Sequence, residues 1–250
     1  MPSIPNKIFG KINEGKLEYA ISGDQQPTVI FINGGGPANM DSWGKVYPQI
    51  EKISRVFAYN RFGDGNSDQV DESQSGEKIV AALKQLLQHA GEKGPYILVG
   101  HSIGGLYAIL LARLYPQDVI GVVLVDSAHP DQGKMMHEQG ILNSLILKIY
   151  VKFNPTKSSE LNSFDETVSQ IKNAGAFPDV PLLVISAGKR SSFFVPDETI
   201  KIIEKHQKEL VELSTQGKLI VAKKSGHFIQ NSEPEIVVNA IMEIINQTRK

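Results

Sequence analysis

The stretch Tyr96-Ile-Leu-Val-Gly-His-Ser-Ile-Gly-Gly105 decides the fold. Its first four residues are continuously apolar, which predicts a strand of a parallel sheet that is covered on both faces. Residues 102–114 are apolar on most sides, which predicts a helix packed against that sheet. A G-x-S-x-G sequence between a strand and a helix is the context in which the serine is a nucleophile at the edge of the sheet.

The local chemistry of this turn supports Ser102 as the nucleophile. The turn is so sharp that Gly100 and Gly104 must lack a Cβ atom. The serine then stands at the N-terminus of a helix, where the helix dipole favours negative charge. The alternative is a phosphate-binding turn, but the Lys-Ser/Thr pair of a P-loop is missing here.

Further apolar runs on both sides of this stretch predict an α/β protein with a mostly parallel eight-stranded sheet flanked by helices. The first two runs alternate in polarity and predict an antiparallel hairpin. A helix is expected over Glu77–Ala90, and the last helix is expected to begin near Ser232, with Ser232 as its N-cap. The eight predicted strands are Lys7–Ile12, Leu17–Ser22, Thr28–Ile32, Arg55–Tyr59, Tyr96–Val99, Ile120–Val125, Leu182–Ser186 and Leu219–Ala222.

The segment between the sixth and seventh predicted strands is longer than a connection requires. It holds helical patterns around Ile141–Phe153 and Phe164–Ala174. We therefore predict a single domain over residues 1–250 with a small helical cap inserted at about 130–178.

Four sequence pieces together resemble the α/β-hydrolase superfamily. They are INGGGP after the third strand, YNRFGDGNSD after the fourth, GHSIGG after the fifth and SGHF near the C-terminus, and they come in the order of that family. VLVDSAHPDQ after the sixth strand resembles a group of small esterase-like hydrolases within it. The resemblance implies the α/β-hydrolase fold and a Ser–His–acid triad.

Of the six histidines, His227 in Ser225-Gly-His-Phe228 occupies the place of the family's catalytic base. A serine hydroxyl needs such a base to take its proton. His101 is expected to pack or to hydrogen bond within the sheet, and His129 to lie in a loop near the site. His89, His137 and His206 are expected at the surface.

The acid of the triad is less clear from the sequence. Most relatives carry it after the seventh strand, but Ser186-Ala-Gly-Lys-Arg-Ser-Ser192 has no carboxylate. We favour Asp126 at the end of the sixth strand, and Asp197 is the alternative. A buried aspartate there would fix the tautomer of His227 and stabilise its imidazolium form.

Two backbone N–H groups are expected to form the oxyanion hole. One is that of Ile103, directly after the nucleophile, and the other is that of Gly35, with Gly36 as the alternative. Asn33 replaces the family's usual histidine and is expected to brace the loop through its amide. Arg61, Asp64 and Asp68 are expected to brace loops, and Trp43 to pack onto the core.

Composition excludes several function classes. The chain has no cysteine, so a thiolate nucleophile and thiolate metal ligands are excluded. The net charge of -1 gives no reason to expect a nucleic-acid partner. No signal peptide or membrane span is visible, and we expect a soluble, cytoplasmic enzyme without a cofactor.

The expected reaction is hydrolysis of a small-molecule carboxylic ester with an uncharged, short-to-medium acyl group, through an acyl-enzyme. Apolar residues of the cap, together with Phe193 and Phe194, are candidates for the acyl pocket. Thioester, lactone and carbon–carbon bond cleavage use the same triad and stay open. A prolyl-aminopeptidase-like activity would need cap carboxylates, for which Glu160, Asp165 and Glu166 are available, and a ligand-binding protein with little turnover is a further alternative.

Overall fold

The computed structural model describes residues 2–132, 152–190 and 196–249. Its eight strands form one sheet in the order β1-β2-β4-β3-β5-β6-β7-β8. The strands are β1 (Ile8–Lys11), β2 (Lys16–Ser22), β3 (Thr28–Ile32), β4 (Arg55–Tyr59), β5 (Tyr96–His101), β6 (Val119–Val125), β7 (Leu182–Ala187) and β8 (Gly217–Ala222).

Strand directions follow the polarity patterns of the sequence. Strand β2 is antiparallel to both β1 and β4, and every later pairing is parallel. All residues of β3, β5 and β7 are buried, as expected for strands covered on both faces. The mostly parallel eight-stranded sheet and its opening hairpin are therefore confirmed.

Helices cover both faces of this sheet. They are α1 (Tyr47–Ile50), α2 (Gly76–His89), α3 (Ile103–Leu114), α4 (Pro155–Asn162), α5 (Phe164–Asn173), α6 (Asp197–Val211), α7 (Ile229–Ser232) and α8 (Pro234–Thr248). Two separate apolar cores result, because alternate residues of each strand point to opposite faces. Ile30 and Ile32 of β3 join the core under α2 and α3, whereas Val29 and Phe31 join the core under α8.

Helices α4 and α5 lie between β6 and β7, as expected for a helical insertion at this point. Helix α5 packs against α2 and α3 on one face of the sheet. The helical pattern predicted for Ile141–Phe153 falls mostly on residues outside the described part of the chain, and so do Phe193 and Phe194.

The predicted N-cap of the last helix is wrong by one residue. Helix α8 begins at Pro234 with Glu233 at its N-cap position, and Ser232 instead ends the preceding helix α7. The hydroxyl of Ser232 donates to Ser225 Oγ, 2.7 Å away, so it holds the preceding loop rather than capping α8. The capping pattern was misleading because a second short helix directly precedes the proline.

Candidate active site

Ser102 occupies a strained turn between β5 and α3. Its φ is +55°, a left-handed conformation that is uncommon for a residue with a side chain. A Cβ on Gly100 would lie 2.7 Å from the Gly104 carbonyl oxygen, and one on Gly104 would lie 2.5 Å from the carbonyl oxygens of Ile32 and Asn33. Both glycines are therefore required by the close approach of backbone to backbone.

Backbone hydrogen bonds hold this turn against the loop that follows β6. The Ser102 N–H donates to the Val125 carbonyl oxygen at 3.2 Å, and the Ala128 N–H donates to the Ser102 carbonyl oxygen at 3.0 Å. Asp126 lies between these two partners in the chain, so its backbone is fixed beside the serine turn. Asp126 itself has a φ of +40°.

The carboxylate of Asp126 is bonded to the imidazole of His227. Nδ1 of His227 lies 2.7 Å from Asp126 Oδ2, and the aspartate side chain is 3% exposed whereas the histidine side chain is 46% exposed. A carboxylate can only accept here, so Nδ1 carries the proton and the neutral ring keeps its lone pair on Nε2. Asp197 is the first residue of α6 and is exposed.

Within the described residues, the Ser102 hydroxyl makes no hydrogen bond. Hydrogen bonds between catalytic groups are often long in a protein without substrate and shorten when it binds. The structure thus brings Asp126 and His227 together and holds the backbone of Ser102 against the loop that carries Asp126.

Arg190 is a member of this site that the sequence did not reveal. It follows β7, in the loop where most relatives carry the acid, and its Nη2 forms an ion pair with Asp126 Oδ1. The Ala187 N–H donates to the same oxygen at 3.0 Å. Burial alone would raise the pKa of Asp126, but the hydrogen bond and charge of His227 and the charge of Arg190 lower it to about 2. The sequence signal that could have drawn attention to Arg190 was the absence of a carboxylate from this loop.

The loop after β3 supplies the second wall of the site. Within the described residues, the backbone N–H groups of Gly35 and Ile103 have no partner, as donors to an oxyanion require. A Cβ on Gly34 would lie 3.3 Å from Ser102 Cβ, and one on Gly35 would lie 3.2 Å from Ile103 Cγ2. The backbone of this loop therefore runs directly past the serine.

Four buried charged side chains, here called the buried ion cluster, lie beneath the loop after β3. They are Arg61 and Asp64 from the loop after β4, and Lys157 and Glu160 from α4. Arg61 donates to the carbonyl oxygens of Asn33 at 2.7 Å and Gly34 at 2.8 Å. The cluster therefore connects α4 to the loop that passes Ser102.

Neighbouring polar groups complete the buried ion cluster. Tyr107 of α3 donates to Glu160 Oε1 at 3.1 Å. Asn33 Nδ2 donates to the Ala38 carbonyl oxygen at 3.0 Å and to Asp64 Oδ2 at 3.3 Å. The expected bracing role of Asn33, Arg61 and Asp64 agrees with these contacts. The contribution of Lys157 and Glu160 was missed, because both are distant in sequence.

The pKa values of the two carboxylates in the buried ion cluster are shifted in opposite directions. The pKa of Asp64 is raised, chiefly by burial and also by the charge of Glu160, although Lys157 and Arg61 act to lower it, and its Oδ1 has no hydrogen-bond partner. Burial would also raise the pKa of Glu160, but Arg61 and Lys157 outweigh it and lower that pKa to about 2. Glu160 is therefore the ionised partner of both cations.

His101 supports the loop that carries His227. Its Nε2 lies 2.9 Å from the His227 carbonyl oxygen, and its ring centroid lies 4.7 Å from that of His227. Burial and the nearby His227 lower the pKa of His101 to about 3, so its ring is neutral and donates through Nε2–H. The expected hydrogen bond thus runs to the His227 loop and not within the sheet. Phe228, which is 45% exposed, packs edge-on against the His227 ring.

Of the side chains that the structure describes, His129, His206 and Glu209 form the group that could hold a metal ion. The two imidazole rings stack with centroids 4.5 Å apart. The Asp131 N–H donates to His129 Nδ1 at 3.1 Å, so the proton of neutral His129 lies on Nε2, which faces Glu209. This tautomer does not suit a metal at Nε2.

His206 is buried, so its predicted surface position is wrong, because its helix packs against the loop after β6. His137 lies outside the described residues.

No helix in residues 2–132, 152–190 or 196–249 combines the length and the apolar character that crossing a membrane demands.

Comparison with known proteins places the chain in a family. A family model described as the alpha/beta hydrolase fold matches residues 27–153, just over half of the 250 residues. The chain is 28% identical over 228 residues to the uncharacterized protein YqjL of Bacillus subtilis (strain 168), covering 89% of this chain and 85% of that protein.

Solved structures share the same fold at low sequence identity. The enol-lactonase of Burkholderia xenovorans LB400 matches with a TM-score of 0.71 at 14% identity, over 96% of this chain and 100% of that one. The bromoperoxidase of Bacillus anthracis matches with a TM-score of 0.71 at 18% identity, over the same shares of the two chains. With this sheet order, these loops and the family match, the chain belongs to the α/β-hydrolase fold family.

Proposed function

We propose that this protein is a serine hydrolase of carboxylic esters, with Ser102 as nucleophile, His227 as general base and Asp126 as the residue that orients the base. The observation that carries the proposal is the 2.7 Å hydrogen bond between His227 Nδ1 and Asp126 Oδ2. It leaves the lone pair of neutral His227 on Nε2, the atom that must take the serine proton.

The reaction follows from these positions in two steps. Ser102 Oγ attacks the ester carbonyl carbon while His227 Nε2 takes the hydroxyl proton, and the N–H groups of Ile103 and Gly35 bind the oxyanion. Collapse of the tetrahedral intermediate expels the alcohol, which takes its proton from His227, and leaves an acyl-enzyme. Water, deprotonated by His227, then attacks the acyl carbonyl, and His227 returns this proton to Ser102 Oγ as the acid is released.

An uncharged acyl group suits the surroundings of the base. Phe228 offers an exposed aromatic face beside His227, and Ile103 lies against the loop after β3. Both cations and both carboxylates of the buried ion cluster face one another, so they offer no free charge to a substrate. This supports uncharged acyl groups over charged ones.

The aminopeptidase alternative loses support from the position of Glu160. A carboxylate that binds the free amine of a substrate has to be available to it, yet Glu160 is 3% exposed and is paired with Arg61 and Lys157. Thioester, lactone and carbon–carbon bond hydrolysis require the same triad, so they are the other members of any substrate panel.

The test combines active-site labelling with turnover. Wild-type protein is treated with a fluorescent fluorophosphonate, and its rates are measured on p-nitrophenyl esters of increasing acyl length. We expect labelling of one residue, identified by peptide mass spectrometry as Ser102, and hydrolysis that is fastest on short-to-medium chains. Ser102→Ala should lose the label and at least about 10⁴-fold in kcat, since the nucleophile is removed.

A second buried serine, in the loop after β6, provides the matched control. Ser127→Ala changes a buried serine one residue after Asp126, whose hydroxyl donates to the Ala128 carbonyl oxygen, and it should keep the label. Absence of both labelling and ester hydrolysis in folded wild-type protein would contradict the proposal and favour a binding protein with little turnover.

A further inference from the structure

Arg190 lies where the acid of the triad is found in most relatives, yet it carries the opposite charge. It follows β7 by three residues and reaches across to the end of β6, where it pairs with Asp126 Oδ1. The other carboxylate oxygen of Asp126 binds His227. One buried carboxylate is thus shared between a guanidinium and the imidazole proposed as the base.

The backbone of this loop is built to hold Arg190 at that place. The Gly188 N–H donates to the Ala222 carbonyl oxygen, and the Lys189 N–H donates to the Ser225 carbonyl oxygen, both at 2.9 Å. A Cβ on Gly188 would lie 2.8 Å from Lys223 Cα, so only glycine allows the two loops to run this close. The segment directly before Arg190 is therefore fixed to the loop that carries His227.

The charge balance of the site depends on Arg190. Among the described residues, the titratable groups in contact with the His227 ring are Asp126 and His101. The charged group that pairs with the Asp126 carboxylate is Arg190. His101 is buried and neutral, so Asp126 and Arg190 are the two full charges. With both present, the pair Asp126–Arg190 has no net charge, whereas Asp126 alone would leave a full negative charge beside the imidazole.

We propose that Arg190 is a positioning residue of the triad: it holds Asp126 through Oδ1 so that Oδ2 faces His227, and its charge offsets part of the attraction of Asp126 for the imidazolium. This inference rests on the proposed function in naming His227 as the base. It explains how the acid can lie directly after β6 while the loop after β7 still takes part in the site.

The sign of the effect follows from electrostatics. A cation near the imidazole opposes its protonation, so removing Arg190 should favour the imidazolium. The acid limb of the plot of kcat/KM against pH should then move to higher pH in Arg190→Met, by about one pH unit, which is a tenfold change in proton affinity. A role in loop stability alone would lower the amount of active enzyme but would not move this limb.

The experiment has one arm that does not depend on activity. The low-field proton resonance of the His227–Asp126 hydrogen bond is followed by NMR against pH in wild type, Arg190→Met and Arg190→Lys. The resonance is assigned by its loss in His227→Gln. We expect its transition midpoint to rise by about one pH unit in Arg190→Met and to return most of the way in Arg190→Lys, which restores the charge without the planar fork.

Lys189→Met is the matched control, because it removes an exposed cation from the same loop without a contact to Asp126. Its transition midpoint should equal that of wild type. An unchanged or lowered midpoint in folded Arg190→Met overturns the proposal. If the midpoint shifts as expected but wild type hydrolyses no ester, then the proposed function fails and the role of Arg190 in setting the charge of the pair stands.

Discussion

Charged side chains lie together in two regions of the protein, and the two regions differ in whether one of their members is exposed. The buried ion cluster of Arg61, Asp64, Lys157 and Glu160 has two cations for two carboxylates, and each side chain is at most 3% exposed. The group around Asp126 also pairs a carboxylate with an arginine, but its third member, His227, is 46% exposed.

The difference separates a structural from a chemical use of charge. In the buried ion cluster, Glu160 is held by contacts from three sides, and these contacts join α3, α4 and the loop after β3. In the group around Asp126, the carboxylate binds one ring nitrogen of His227, and within the described residues the other ring nitrogen has no hydrogen-bond partner. Buried charges that are fully paired fix a conformation, whereas a free lone pair at an exposed end can take a proton.

The largest effect is expected from neutralising Asp126, the carboxylate that contacts His227. Asp126→Asn should lower kcat on the best p-nitrophenyl ester by about 10⁴-fold, because an amide can donate to His227 Nδ1 and so favours the wrong tautomer. Asp197→Asn, on the exposed first turn of α6, should match wild type. The reverse outcome, with turnover lost in Asp197→Asn alone, would make Asp197 the acid.

Removing one charge from the buried ion cluster should act on stability first. Glu160→Ala leaves Arg61 and Lys157 buried with Asp64 as the one remaining carboxylate, and we expect the free energy of unfolding to fall by about 3–5 kcal/mol. The measurement is urea unfolding followed by circular dichroism. Glu166→Ala, which truncates an exposed glutamate on the neighbouring helix, should change stability by less than about 0.5 kcal/mol. A loss below about 1 kcal/mol in Glu160→Ala would mean that the cluster does not hold the structure.

Acid should distinguish the contribution of Asp126 from that of other carboxylates. Its pKa is about 2 in the folded protein and near 4 in an unfolded chain, so the unfolded state binds more protons between these values. The stabilisation is complete above about pH 4 and is lost as the pH falls towards 2, by about 2 kcal/mol.

The corresponding measurement is the free energy of unfolding at several pH values between 6 and 2. Wild type should lose about 2 kcal/mol more over this range than Asp126→Asn, which has no carboxylate to protonate. Asp197→Asn should follow the wild-type curve. Equal losses in wild type and Asp126→Asn would show that Asp126 gains no stability from His227 and Arg190.

Much of the fold could be predicted because its signals are local. Continuously apolar runs gave strand positions within two residues of those observed, as for β3 and β4, whose predicted and observed bounds are the same. Strand β5 runs two residues further than predicted, through Gly100 and His101, because the glycine lets the strand continue into the turn. The start of α8 was misplaced since its capping residues belong to two successive helices.

Within the candidate site, a contact is harder to predict from the sequence when its two residues are far apart along the chain. Ser102 and His227 stand in short motifs whose glycines can be read directly. Asp126 could be chosen only because the usual loop has no carboxylate. The pairs Arg190–Asp126 and Arg61–Glu160 join residues 64 and 99 positions apart, and no local pattern announces either of them.

Local patterns in the sequence are therefore sufficient to predict the order of strands and helices along the chain, the turn that holds Ser102 and the candidate base. These depend on the periodicity of apolar residues and on positions where only glycine avoids a backbone clash. The folded protein was needed to see that Asp126 contacts His227, that Arg190 shares this carboxylate, and that Glu160 is paired with buried cations. Side-chain pairing across loops depends on how the parallel strands bring their carboxyl ends together, and that arrangement exists only after the sheet has formed.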